Sequence, residues 1–277
     1  MIAGVVGVGS MGLGIAHAFA VRGIPVVACE PDEAARDRAA VRFGAVVQDG
    51  VRRGKLSEVD AQRARDCFRL VPRIGDLPAG ADVVIESAPE RLALKHEVLR
   101  EIEGRNPILL GSNTSSLSIE ELSRPLRHPD RVLGFHFFNP VWAKQLVEIV
   151  VAPATGDPAL RQALDIVRAI GKEAITVRDS PGFATSRLGV LLGLEAIRIL
   201  ESGIATAEDI DRSMTGGYGH PMGPLRLTDL VGLDVRLDIA RYLATVYGDR
   251  FAPPPLLERM VAEGRLGQKS GAGFFTW

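Results

Sequence analysis

The chain has 277 residues, is 46% hydrophobic and carries a formal net charge of −1 at pH 7. That length supports a sizeable core and divides most naturally into two domains. The near-neutral charge gives no basis for bulk electrostatic binding to nucleic acid or to an anionic membrane surface. Two cysteines, Cys29 and Cys67, are too few for a disulfide framework and point to a reducing, cytoplasmic setting.

The opening stretch "MIAGVVGVGSMGLGIAHAFAVRG" has no basic leader region and is interrupted by glycines at 4, 7, 9, 12 and 14. It therefore does not read as a secretory signal, and no apolar run is long enough to span a bilayer. Residues 2–6 read as a short buried strand entering "GVGSMG", Gly7 to Gly12. A helical period follows, with Ile15, Ala18, Phe19 and Val21 expected to face a sheet. A second apolar run, "IPVVACE", ends on Glu30. Strand, G-x-G-x-x-G, helix, strand and acid, in that order, form a dinucleotide-binding fingerprint. Gly7 permits the tight turn, Gly9 admits a pyrophosphate, and Gly12 lets helix and strand pack closely. Ser10 and Met11 complete the turn, and the helix start offers its N–H groups to phosphate. Glu30 can accept both ribose hydroxyls and repels a 2′-phosphate, which favours NAD over NADP.

Residues 32–67 are charged and helical in period, broken at "RRGKLSEVD". Ser57 as N-cap and Asp60 three residues on predict a second helix start, hence a helical hairpin. Arg52, Arg53 and Lys55 gather at its turn, where a phosphate-bearing substrate could be met. Strand patterns resume at "RLVPRI", "ADVVIESA" and "PILLGS", and again at 131–137, 146–150 and 174–177. Helical patterns alternate with them, the last running over 158–170, which predicts a doubly wound α/β sheet. The pattern changes at "RDSPGFATSRL": helical periods at 183–203, 206–215, 221–230, 232–247 and 254–263 predict an all-α domain. The expected division is 1–180 and 181–277.

Within "LGFHFFNPVWAKQLVEIV", residues 133–150, His136 lies in an apolar run twelve residues before Glu148. Taken alone, these residues fit a hydrogen-bonded core histidine as well as a catalytic one. The larger pattern bears on the choice. "GVGSMGLGIA", "SNTSSL", "GFHFFNPV", "LVEIV", "DSPGFATSRL", "HPMGPLRLTDLVGLDV" and "LGQKSGAGFF" occur in one order along the whole chain. In this the chain resembles the L-3-hydroxyacyl-CoA dehydrogenases.

The resemblance implies NAD-dependent oxidation of a 3-hydroxyacyl-CoA, as in fatty-acid β-oxidation. It implies His136 as general base, a role suited to an imidazole because its ordinary pKa lies near working pH. It implies Glu148 as the partner that orients His136, and Ser115 as a residue near both substrate and nicotinamide. Ser118 reads as the cap of "IEEL". By the same resemblance Glu90, Lys95, Asn139 and Lys269 are cofactor contacts, with Pro140 fixing the turn after Asn139. Lys55 falls where relatives meet the nucleotide end of coenzyme A.

One position departs from the pattern. The family usually has "PGFxxNR", with an Asn approaching the substrate; here "PGFATSR" places Ser186 there. That leaves the acyl-chain preference open. The resemblance also implies a homodimer through the helical domain, with "GLEAIRIL" as contact surface. Short-chain substrates such as 3-hydroxybutyryl-CoA are expected. The rival readings are a dehydrogenase of a free hydroxy or sugar acid such as L-gulonate, and a non-catalytic protein of the crystallin type on the same fold. Ser115, His136 and Glu148 occurring together argue against the latter.

Overall fold

The computed structural model describes residues 1–277 and separates them into two compact units, Met1–Ser180 and Pro181–Trp277. In the first, strands β1 (Ala3–Val6) and β2 (Val26–Cys29) flank helix α1 (Ser10–Ala20) in sequence. The hairpin α2 (Glu33–Arg52) and α3 (Glu58–Cys67) then leads to β3 (Phe68–Val71). Next come β4 (Val83–Glu86), α4 (Leu92–Glu103), β5 (Leu109–Ser112) and the short α5 (Ile119–Ser123). The unit closes with β6 (Val132–Phe137), β7 (Leu146–Val151), α6 (Asp157–Ala169) and β8 (Glu173–Arg178).

These eight strands form one sheet in the order β3-β2-β1-β4-β5-β6-β7-β8. Every step is parallel except β6 to β7. A doubly wound pattern of alternating strands and helices is ordinarily parallel. The exception follows from the connection: eight residues, 138–145, join β6 to β7 without a helix, too few for a parallel crossover. The strands β1, β2, β4, β5 and β6 are buried along their whole length, which is why they read as continuous apolar runs.

Helix α1 is buried from Gly12 to Ala20, so its core face is wider than a single stripe; Val21, expected on that face, is only partly buried. The hairpin forms as its caps dictate. Asp32 accepts from Ala35 N at one helix start, and Ser57 accepts from Asp60 N at the other. Ser118 caps α5 in the same way, through Glu121 N.

The second unit comprises α7 (Thr185–Glu201), α8 (Ala207–Arg212), α9 (Pro224–Val231), α10 (Leu233–Tyr247) and α11 (Pro255–Ala262). The pattern over 206–215 resolves into α8 followed by a π turn at Ser213–Gly217. Val190, Leu194 and Ile197 of α7 pack with Leu233, Leu237 and Leu243 of α10. The segment "GLEAIRIL" is thus largely committed to the unit's own core, Gly193, Leu194, Ala196 and Ile197 being buried. The exposed apolar side chains of α7 are Leu188 and Leu191. At the chain's end, the buried Asp229 carboxylate accepts from Phe274 N, Phe275 N and Trp277 Nε1, each at 2.9 Å. This carboxylate does the work of a strand partner, and the last residues form only isolated bridges. No helix is long and apolar enough to cross a membrane.

Candidate functional site

The turn after β1 shows why its glycines are required. Gly7 has φ +90°, and a methyl group there would lie 2.6 Å from the Ser87 carbonyl oxygen. A methyl at Gly12 would collide with the Gly7 carbonyl. At Gly9 the same methyl would meet nothing within 4 Å, so that face of the turn is open. Gly9 also caps α1 without a side-chain acceptor, which leaves the first-turn donors available to an anion.

The open face belongs to a cleft of about 850 Å³ along the carboxyl ends of β1, β2 and β4. Gly7, Gly9, Ser10 and Met11 line one part of it; Glu30, Glu90, Lys95 and Ser115 also reach its wall. Gly12 lies behind the turn as a packing residue. Glu30 is held by the backbone, accepting from Val8 N at 3.4 Å and Asp32 N at 3.2 Å. Its neighbour Cys29 is inert: burial pushes the thiol up to about 12, with Glu101, Glu30 and Asp76 acting in the same direction.

Behind this wall lies a polar network that sequence reasoning missed. Glu86, at the end of β4 and 0% exposed, accepts from Lys95 Nζ at 2.7 Å, from Ser112 Oγ at 2.6 Å, and from Ala88 N. Lys95, 1% exposed, also donates to the Ala88 carbonyl at 3.1 Å and pairs with Glu90 at 3.2 Å. Its three donors therefore have three protein acceptors. Glu90 in turn accepts from Thr114 Oγ1, Ser115 N and Ser116 Oγ. Desolvation alone would raise the Glu90 pKa, but Lys95 and the hydroxyl donors outweigh it and hold the carboxyl below its usual range. The loop that carries Ser115 is thus tied to Glu90, and Glu90 to the buried Lys95. "VVIESAPE" offered one signal of this: an acid ending an apolar strand, where a buried charge requires a partner.

His136 and Glu148 meet further along the sheet. They are directly opposed in the β6–β7 register, with His136 Nδ1 2.7 Å from Glu148 Oε2. Both are buried, at 6% and 0% exposure. The next residue, Phe137, donates its N–H to Asn113 Oδ1 at 3.0 Å, and Asn113 lines the cleft. Asn113 thereby links the strand of His136 to the wall near Ser115. The sequence reading passed over it in favour of the serines that follow.

Four sequence candidates remain. Asn139 is exposed, outside the cleft lining, and precedes a cis peptide bond to Pro140. Lys55 is exposed at the hairpin turn; Arg52 and Arg53 beside it both pair with Asp49. Ser186 is half-buried in the first turn of α7. Lys269 belongs to the second unit, where its ammonium pairs with Asp234 at 2.6 Å. Residues 2–180 match the model of the 3-hydroxyacyl-CoA dehydrogenase NAD-binding domain, and residues 182–277 match that of the same family's C-terminal domain.

The chain belongs to the 3-hydroxyacyl-CoA dehydrogenase family.

It is 40% identical over 279 residues to a 3-hydroxybutyryl-CoA dehydrogenase of Mycobacterium tuberculosis, covering 99% of this chain and 97% of that one. Among solved structures it superposes on M. tuberculosis FadB2 with a TM-score of 0.95 and 39% identity, covering 100% and 98% of the two chains. It superposes on the (S)-3-hydroxybutyryl-CoA dehydrogenase PaaH1 of Ralstonia eutropha with a TM-score of 0.94 and 36% identity, again covering 100% and 98%. The family's NAD-binding domain identifies the cofactor as NAD. The open face at Gly9, the uncapped start of α1 and the carboxylate of Glu30 fit that molecule's pyrophosphate and ribose.

Proposed function

We propose that this protein oxidises short-chain L-3-hydroxyacyl-CoA thioesters, such as 3-hydroxybutyryl-CoA, reversibly to the 3-ketoacyl-CoA. The observation that carries this reading is the buried His136–Glu148 pair, placed in the same unit as the dinucleotide cleft. Oxidation of a secondary alcohol removes a proton from oxygen and a hydride from carbon. The residues of the cleft would hold NAD, which would supply the acceptor for the hydride leaving C3.

His136 is the general base for the hydroxyl proton. Glu148 holds Nδ1, which fixes the ring and assigns the proton exchange to Nε2. It also stabilises the imidazolium that forms. Ser115 hydrogen-bonds the substrate oxygen, and Glu90, with Lys95 behind it, sets the position of Ser115. Gly7, Gly9, Ser10 and Met11 receive the pyrophosphate, and Glu30 receives the ribose. Asn139 and Lys269 are further cofactor contacts. Lys55 is a point charge for the nucleotide end of coenzyme A, and Ser186 borders the acyl group.

The protein acts as a cytoplasmic homodimer joined through its second unit, whose exposed Leu188, Leu191, Leu227, Leu230 and Val231 supply the apolar surface. Sedimentation at two concentrations reads that state. The function is tested by NADH oxidation with acetoacetyl-CoA against free acetoacetate and against L-gulonate with NAD. The thioester should exceed both in kcat/KM by orders of magnitude. Preference for a free acid would replace this reading with that of a hydroxy-acid dehydrogenase.

A further inference from the structure

Helix α4 presents Leu94, Glu97, Val98 and Glu101 to the cleft. The spacing i, i+3, i+4, i+7 makes these one face of the helix. Two of the four are carboxylates, and neither has a role in the reaction described above. Glu101 and Glu30 both lie within electrostatic reach of the Cys29 thiol, so two acids from different elements converge on the end of β2. In a dinucleotide cleft of this topology that is the adenosine-ribose end.

The cations near the wall offset these charges only in part. Two line the cleft, Lys95 and Arg73. Lys95 is paired with Glu86 behind the wall and with Glu90 on it, and Arg73 is held in a fork by Asp76 at 3.1 Å, so neither cation is paired with Glu97 or Glu101. Arg36, near the end of β2, directs its guanidinium to the neutral carbonyls of Glu30 and Pro31, at 2.7 Å each, so its charge persists there and partly offsets the acids at the Cys29 thiol. The positive end of α1 faces the pyrophosphate part of the cleft. The cleft is therefore polarised along its length: helix-terminal donors lie at one end, and at the other the carboxylates of Glu30, Glu97 and Glu101 outnumber the single cation Arg36.

We infer that Glu101, with Glu97 beside it, is a second determinant of cofactor choice, acting with Glu30 to exclude a 2′-phosphate. Glu30 rejects the phosphate by contact and by competing for the ribose hydroxyls. Glu97 and Glu101 reject it by field, which carries across the cleft and is screened by salt over about 10 Å at 0.1 M. A change at Glu30 alone consequently does not convert the enzyme to NADPH.

This rests on the reading of the protein as an NAD-dependent reductase of acetoacetyl-CoA, and the test separates the two. The quantity measured is the ratio of kcat/KM for NADPH to that for NADH. Glu101→Gln should raise this ratio roughly 3- to 10-fold, and Glu97→Gln should raise it by less. Each should multiply the gain from Glu30→Gln. Glu263→Gln, which removes an exposed charge in the second unit, should leave the ratio unchanged.

A measurement without mutation checks the same field. In the wild type the ratio should climb as salt rises from roughly 0.02 M to roughly 0.3 M, and the climb should flatten in Glu101→Gln. A wild-type ratio indifferent to salt, or a Glu101→Gln ratio no higher than that of Glu263→Gln, assigns the selectivity to Glu30 alone and overturns the inference. A wild type that uses NADPH and NADH equally overturns the NAD preference itself, a different outcome.

Discussion

His136 Nδ1 lies 2.7 Å from Glu148 Oε2 because the two residues are directly opposed across the one antiparallel step of the sheet. Opposed residues on neighbouring strands hold their Cβ atoms about 4.5–5.5 Å apart, within reach of an imidazole and a carboxylate. A one-residue slip would send Glu148 to the other face of the sheet and away from His136. His136→Gln should fold and bind NADH while turnover falls about 10²–10⁴-fold, the usual loss with a general base. Glu148→Gln should lower kcat more than it weakens NADH binding. Steady-state rates and NADH fluorescence titration measure both; near-normal turnover in His136→Gln would return this histidine to a packing role.

Lys95 is saturated by Glu86, Glu90 and the Ala88 carbonyl, so its first effect is on stability. Lys95→Met leaves the Glu86 carboxylate buried without its counter-charge, a loss of about 3–5 kcal/mol. Glu86→Gln combined with Lys95→Met should recover part of that loss, because the uncompensated charge is gone. Urea unfolding of the three variants and the wild type reads the coupling directly. Equal stability of wild type and Lys95→Met would show that water reaches Glu86 and that the pair is not closed.

His17, on α1, is 8% exposed and neither ring nitrogen has a hydrogen-bond partner; Phe43 and Trp142 approach it edge-on. Burial, reinforced by Lys172, lowers its pKa from 6.5 to about 4. The unfolded chain therefore takes up this proton near pH 6.5 and the folded chain resists it to about pH 4. Stability from this residue is full above pH 6.5 and is lost as pH falls through that window, by about 3 kcal/mol in all. His17→Leu should flatten the difference in unfolding free energy between pH 7.5 and pH 5. An unchanged slope would assign acid sensitivity to the carboxylates alone.

The sequence made the cofactor turn legible because its requirements are local. Gly7 needs a positive φ, Gly12 has no room for a methyl, and both are read from spacing. The caps Ser57 and Ser118 are local in the same sense. What stayed hidden was set by neighbours distant in sequence. The role of Glu86 depends on Lys95 and Ser112, nine and twenty-six residues away, and that of Asn113 on a backbone N–H twenty-four residues on. The "GLEAIRIL" segment misled for a related reason: an apolar helix face does not say whether it meets its own core or another chain.

Ser186 stands in the first turn of α7, where the family pattern has Asn. Under the proposed function this side chain borders the acyl group near the reacting carbon. Serine keeps a donor and an acceptor but is one heavy atom shorter than Asn, so the pocket gains volume while losing reach. Restoring the amide with Ser186→Asn should favour acetoacetyl-CoA over longer 3-ketoacyl-CoAs, because the added bulk excludes chain and the added reach serves only a closely seated substrate. The shift in relative kcat/KM should be about 1–3 kcal/mol, the range for a small change in pocket volume. NADH affinity should be little altered, since Ser186 is not among the residues that line the dinucleotide cleft. A chain-length series from four to ten carbons with NADH held saturating provides the measurement. If Ser186→Asn scales all chain lengths by one factor, Ser186 does not line the acyl site, and its departure from the pattern is a tolerated substitution at a helix start.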